Sequence, residues 1–225
     1  MILDEECWLA YPKQRLLYNK LWISDMLGYE CGPGGLTVQE DGDYIVKPIY
    51  NLDGMSRGAQ KRTLLAGDTS TPPGYFWCEY FEGPHYSVDF VLTDEGFKQC
   101  LVVEGIKENE YMFTSWTKLP LHKYKFDVPT FVDILCGDYV EHMNIEYIGS
   151  NIIEIHLRHN PDFVDHDFSK IEVVWASTYD DQKHQRNKDF FIQSKEFIVN
   201  HEGHIIDTRL GFYLKGIKGG VYGAV

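Results

Sequence analysis

Two glutamates stand eight residues apart in a stretch of regular alternation, Met143 to Arg158. In an extended chain Ile153, Ile155 and Leu157 fall on one face, and Glu154, His156 and Arg158 fall on the other. In the segment before them, Ile145 and Tyr147 share a face while Asn144 and Glu146 take the opposite one. A three-residue hairpin loop over Gly149-Ser150-Asn151 would pair Ile148 with Ile152, Glu146 with Glu154 and Asn144 with His156. Both apolar sets then turn to one side, as a buried sheet face requires. The two carboxylates would stand roughly 5 Å apart between Cβ atoms, and like charges so placed are destabilising unless compensated. Two compensations fit. A hard divalent cation can bridge Glu146 and Glu154, since magnesium prefers carboxylate and phosphate oxygens. Alternatively the face is solvated and Arg158 supplies the counter-charge.

A second group of residues could grip phosphate. Lys47 closes the short strand Tyr44-Ile45-Val46 just before Pro48, and a strand-end lysine reaches a phosphate as a point charge. Gly54-Met55-Ser56-Arg57-Gly58 can turn backbone N–H groups toward phosphate oxygens. The pattern G-x-x-x-x-G-K-[ST] is absent, as is a dinucleotide-binding fingerprint, so neither of those phosphate cradles is present.

The elements that must carry these residues follow from periodicity and punctuation. Lys13 to Leu27 reads as one helix, ended by Gly28 and the Gly32-Pro33-Gly34-Gly35 cluster. Val128 to Tyr139 reads as a second helix opened by Pro129. Strands are expected at 44–46, 75–81, 87–92, 101–103, 145–148, 152–157, 171–175, 197–199 and 205–206, with turns between them rich in glycine and proline. Many strands and few helices give an α+β class. Two lobes are expected, 1–82 and 83–225, meeting near Glu82-Gly83-Pro84, with Gly216 to Val225 a mobile tail or a closing flap. At 225 residues, 44% apolar and 24% charged, the composition is that of a folded protein with a sizeable core. A formal charge of −13 disfavours a broad nucleic-acid or anionic-membrane footprint, though not a small phosphorylated ligand held by local cations. No apolar run spans a bilayer, and the N-terminus lacks a secretory signal. Five widely spaced cysteines without C-x-x-C read as reduced thiols inside the cell, in the cytoplasm.

Taken in order along the chain, these segments resemble the ATP-grasp superfamily. Asn19-Lys20-Leu21 with Leu27-Gly28-Tyr29 is similar to the family's "DK…lG" helix, and Tyr44-Ile45-Val46-Lys47-Pro48 to its "vvKP" strand. Trp77 to Asp89 resembles the "qEyieGpEysvd" hinge, and Ile153 to Arg158 the "iEiNpR" strand. The likeness covers Asn19 to Asn160 and implies an ATP-grasp fold, two α+β lobes closing on a nucleotide. It further implies that Lys20 and Lys47 hold ATP phosphates, with Ser56 and Arg57 in the glycine loop beside them. Backbone around Glu79, Tyr80 and Phe81 would meet adenine, with Cys78 close by and His85 toward the ribose. Glu146 and Glu154 would bind Mg²⁺, with His156 as third ligand or phosphate neighbour, and Arg158 would stabilise the transferring phosphoryl group. The implied reaction is that of an ADP-forming carboxylate–amine ligase: ATP activates a carboxylate as an acyl phosphate, which an amine or similar nucleophile attacks. A nucleotide-binding module without ligase activity, acting as a regulator or assembly partner, is the alternative.

The sequence departs from the family pattern in three places. His156 stands where the family carries Asn, a change that could select Mn²⁺. His85 stands where the ribose-binding Glu is expected. The stretch before Asn19 is too short for the N-terminal domain of typical members, which implies a homodimer, a partner subunit or a large substrate completing the site. Such compactness is similar to that of phage-encoded members.

Overall fold

Runs of β-branched and aromatic residues broken by glycine and proline turns give this chain a regular structure made mainly of antiparallel strands. The computed structural model describes residues 3–54, 56–108, 112–163, 166–200 and 204–216. A four-stranded sheet comes first, built from β1 (Cys31–Pro33), β2 (Gly42–Pro48), β3 (Gln60–Leu64) and β4 (Tyr75–Glu79) in the order β1-β4-β2-β3. Then come β5 (His85–Thr93), β6 (Gly96–Lys107), β7 (Phe113–Lys118), β8 (His142–Ile148) and β9 (Asn151–His156), followed by β10 (Lys170–Trp175), β11 (Phe191–Val199) and β12 (Ile205–Lys215). These eight form one sheet in the order β11-β12-β10-β7-β6-β5-β8-β9. The chain crosses from the first sheet to the second between Glu79 and His85. The described helices are short: α1 (Asp4–Ala10), α2 (Lys20–Met26), α3 (Thr130–Cys136) and α4 (Asp181–Asn187), with 3₁₀ turns between elements. The fold class is α+β, as expected from the sequence.

Several expected elements are redrawn. The single helix over Lys13 to Leu27 divides into a 3₁₀ turn at Arg15–Tyr18 and α2, because Asn19 breaks the helical run and caps the second piece, accepting from the Trp22 N–H at 2.9 Å. The helix expected from Val128 to Tyr139 is α3 followed by a 3₁₀ turn. No signal led to α1, β3, β7 or α4, and β11 and β12 run well beyond the short strands expected there. The expected tail lies beyond Gly216, outside the described residues, as does Met55 of the glycine loop.

One core cluster joins Val88, Phe90 and Val102 of β5 and β6 with Met143, Ile145, Ile152 and Ile155 of β8 and β9, covered by Leu17, Ile23 and Val132. A second, Val38, Tyr44, Val46, Leu64 and Trp77, fills the first sheet. α1 docks on the end of β9, where the Cys7 thiol donates to the Leu157 carbonyl at 3.3 Å. Its first turn carries Asp4, Glu5 and Glu6, which suit the positive end of a helix dipole.

β12 bends where two bulges meet: β10 pairs Val174 with Gly211 and then Trp175 with Arg209, and β11 likewise passes from Gln193–Gly211 to Glu196–Arg209. Gly211 has φ +152°, and a Cβ there would sit 2.1 Å from the Ile192 carbonyl oxygen. Gly211→Ala is therefore expected to destabilise the protein by more than about 2 kcal/mol, from strain and displaced backbone. Chemical denaturation will show it, and an unchanged midpoint would refute it.

Candidate active site

The carboxylate pair forms, but by another turn than the three-residue loop. Gly149-Ser150 make a two-residue turn, so Ile148 pairs with Asn151 and Tyr147 with Ile152, not Ile148 with Ile152. A bulge at Ile153 then restores the expected register, Glu146 with Glu154 and Asn144 with His156. The bulge also exchanges two isoleucines. Ile152 joins the core cluster and Ile153, expected on the buried face, does not; both border a cavity of about 360 Å³ between the two sheets.

Protein side chains partner both glutamates. Glu154 Oε1 lies 2.9 Å from Lys20 Nζ, and Glu146 Oε2 lies 3.1 Å from His85 Nε2. Burial pushes the Glu146 carboxyl up, but the hydrogen bond and charge of His85 outweigh it and hold the group ionised well below the usual range. Among the described residues there is no cluster of three or more His, Cys, Asp or Glu placed to hold a metal. Two carboxylates on one wall still fit a magnesium that arrives with phosphate oxygens, since this ion is commonly held by one or two carboxylates plus substrate phosphates.

Lys20, Lys47, Ser56, Arg57, Cys78, Tyr80, Phe81, His85, Glu146 and Glu154 all line this cavity. Lys20 opens α2, and its backbone N–H donates to the Ile49 carbonyl at 3.0 Å, which ties the helix to the end of β2. Lys47 is half-buried at the end of β2 and donates to the bulged Ile153 carbonyl at 3.1 Å. Burial holds its ammonium below the ordinary lysine range, though the nearby Glu154 opposes the shift. Arg57 is paired with Asp53 on an exposed turn, and Ser56 adopts φ +51°, which keeps that turn tight.

The hinge presents fewer donors than the resemblance implied. The Glu79 N–H donates to the Glu30 carbonyl and the Tyr80 N–H to the Asp43 carbonyl. The Glu79 carboxylate turns away and accepts from the Glu30 N–H at 3.0 Å. What reaches the cavity from this segment is the buried Cys78, whose thiol burial pushes up to about 11, with Tyr80 and Phe81. His85 is buried against Phe113 and Trp116 and is directed at Glu146.

Asp4 is the residue that sequence reasoning missed. It is 3% exposed, and its Oδ2 meets His156 Nδ1 at 2.9 Å and Arg158 Nη2 at 2.5 Å. With Nδ1 engaged, His156 Nε2 faces Glu154 Oε1 at 3.8 Å. Burial disfavours the imidazolium, but Asp4 outweighs it and raises the His156 pKa. Asp4 itself is held low by the same two cations, against its own burial. The acidic run Asp4-Glu5-Glu6 gave no periodic signal that could have located this contact.

Beneath the pair, buried Asp89 Oδ1 accepts from Asn144 Nδ2 at 2.8 Å and from the Asn160 N–H at 2.9 Å. Burial pushes its carboxyl up to about 6, with those two donors opposing. The folded state therefore binds more protons than the unfolded one between the ordinary value of 3.8 and about 6, so this group weakens the fold as pH rises through that window. Asp89→Asn is expected to remove that loss and to be the more stable form at neutral pH by about 2–3 kcal/mol. Denaturation midpoints at acid and neutral pH will test this, and equal pH slopes in the two proteins would refute it.

No family model matches this chain, and no curated protein matches it in sequence. Solved structures do. An L-amino acid ligase from Bacillus licheniformis is 8% identical, with a TM-score of 0.52 over 90% of this chain and 68% of its own. N5-carboxyaminoimidazole synthase from Aspergillus clavatus, in complex with ADP and 5-aminoimidazole ribonucleotide, is 9% identical, with a TM-score of 0.51 over 92% and 70%. An ATP-grasp superfamily protein from Archaeoglobus fulgidus is 13% identical, with a TM-score of 0.43 over 73% and 59%, so this chain spans less than two thirds of that relative.

Proposed function

We propose that this chain, which has the ATP-grasp fold, is an ATP-dependent ligase that activates a carboxylate as an acyl phosphate for attack by an amine or similar nucleophile. The observation that carries the reading is the cavity between the sheets, where Lys20, Lys47, Glu146 and Glu154 converge while Tyr80 and Phe81 offer flat surfaces at the hinge. Lysines at that place neutralise polyphosphate, and aromatic surfaces accept a base. A magnesium ion brought by the nucleotide to Glu146 and Glu154 would offset charge on the phosphate oxygens.

The chain's own residues account for the rest. Lys20 and Lys47 hold the phosphates. Arg158 steadies charge on the equatorial oxygens as the substrate carboxylate attacks the terminal phosphorus and ADP departs. His156, kept cationic by Asp4, contacts phosphate and is not a metal ligand. Closure of the two sheets on the nucleotide keeps water from the acyl phosphate.

The test is ADP release that requires both Mg²⁺ and a carboxylic acid, with ¹⁸O from the labelled acid appearing in inorganic phosphate. ATP binding without ADP release on any acid would reject ligase chemistry and leave a nucleotide-binding module.

A further inference from the structure

Behind the glutamate wall lies a second cavity of about 510 Å³, which shares Ser56, Glu146 and Glu154 with the first. A molecule held there reaches the same carboxylates from the side opposite the hinge. Its walls differ in charge. On one flank Asp4 is shared between Arg158 and His156, so two bases face one acid. On the other, Arg209 is paired with both Asp162 and Glu196, Nη2 lying 3.0 Å from Glu196 Oε1, so two acids face one base. The aromatic rings of Phe113, Trp116 and Trp175 also line the space. Lys195 lines it too, but is exposed, its Nζ 5.4 Å from the centre of the Phe197 ring.

An independent observation concerns unmet polar atoms. Seven buried side-chain atoms among the described residues have no hydrogen-bond partner, and four belong to residues lining this one cavity. Two are acceptors, Asp4 Oδ1 and Asn144 Oδ1, and two are donors, Arg158 Nε and Arg209 Nε. Asn144 is 1% exposed, Asp4 3% and Arg209 5%, so solvent does not satisfy them. Burying such atoms unpaired costs about 1–3 kcal/mol each, so the polar wall of this cavity is kept at the expense of stability. A simple acid brings no cation for the flank where two acids face one base, and a simple amine brings no anion for the flank where two bases face one acid. A dicarboxylate would bring a second negative charge to Asp162 and Glu196.

We infer that the second cavity takes an amino acid as the acid to be activated, its carboxylate toward Arg158 and its ammonium toward Asp162 and Glu196. The inference rests on the ligase reading above and names its substrate class. The carboxylate oxygen bonds to the terminal phosphorus, the bond from that phosphorus to the bridging oxygen breaks, and ADP leaves. A nucleophile then adds at the carbonyl carbon, loses its proton to solvent and expels inorganic phosphate.

The experiment gives the full chain Mg-ATP and hydroxylamine as nucleophile, with a panel of amino acids each set beside the same acid lacking its amino group, such as L-phenylalanine and 3-phenylpropionate. Binding of a nonhydrolysable ATP analogue is measured in parallel by calorimetry. Hydroxamate is expected from the amino acid at least ten times faster than from its partner. Glu196→Gln is expected to reduce that preference at least tenfold through KM, with analogue affinity unchanged. The wild-type comparison stands even should that variant fold poorly. Equal rates within each pair, or faster reaction of the acids lacking an amino group, would overturn the substrate assignment alone. Analogue binding with no hydroxamate from any acid, or failure to bind the analogue, overturns the ligase reading, and the assignment with it.

Discussion

Lys47→Ala is expected to lower carboxylate-dependent ADP release by about 10²- to 10³-fold, the usual cost of removing one preorganised charge from a site of developing charge. Lys47 is placed for this by two constraints. It is the penultimate residue of β2, and its ammonium donates to the carbonyl of Ile153, the bulged residue of β9. Burial has already lowered its proton affinity, so the ammonium is held at a cost that a bound polyphosphate would offset. Raising the pH through that lowered value removes the charge. Affinity for an ATP analogue is therefore expected to fall toward alkaline pH in the wild type and to be weak and nearly flat with pH in Lys47→Ala. Calorimetry across pH, alongside the ADP assay, checks both expectations. Tight, pH-independent binding by the variant would remove Lys47 from the site.

The second large effect is expected at Asp4. Asp4→Ala leaves Arg158 and His156 facing each other without their shared carboxylate, and breaking a buried pair in this way costs about 3–5 kcal/mol. Asp4 is held below its ordinary value of 3.8, so its stabilisation is present above that pH and is lost as pH falls through the lower folded value. His156 is raised above its ordinary 6.5, so its contribution is complete below that pH and is lost as pH rises through the higher folded value. The stabilisation is thus confined between those limits, and Asp4→Ala is expected to flatten the pH profile of stability across it. Asp4→Asn retains the shape without the charge. It returns His156 to the neutral form that burial favours, and turnover is expected to fall about 10- to 100-fold with the fold retained. Full activity in Asp4→Asn would show that the charge on His156 does not matter to the chemistry.

The likeness of both sheets to solved ligases accompanies identities of 8–9%, so what has been kept is backbone arrangement and not side-chain detail. That is why local features were readable and distant ones were not. Alternation between Asn144 and Arg158 placed the glutamates on one face and in one register, and the right pairing survived a wrong loop because the two-residue turn and the bulge at Ile153 cancel. The fate of Ile152 and Ile153 could not survive it, since a single bulged residue moves one side chain out of the core cluster. The helix at Lys13 to Leu27 failed for a related reason: its apolar positions continue across Asn19, but the backbone does not.

By itself, then, the sequence determined the α+β class, the strand that ends in Lys47, the cross-strand partners Glu146 and Glu154, and the order of segments that resembles ATP-grasp proteins. These depend on side-chain period and on glycine and proline, which act over a few residues. Only the tertiary structure decided that Lys20 and His85 partner the two glutamates, that Asp4 reaches His156 and Arg158 from the far end of the chain, and that Asp162, Glu196 and Arg209 close a second cavity behind them. Those contacts join residues from separate elements, and packing of one sheet face against helices and loops brings them together. No short-range pattern encodes which distant charge will meet which.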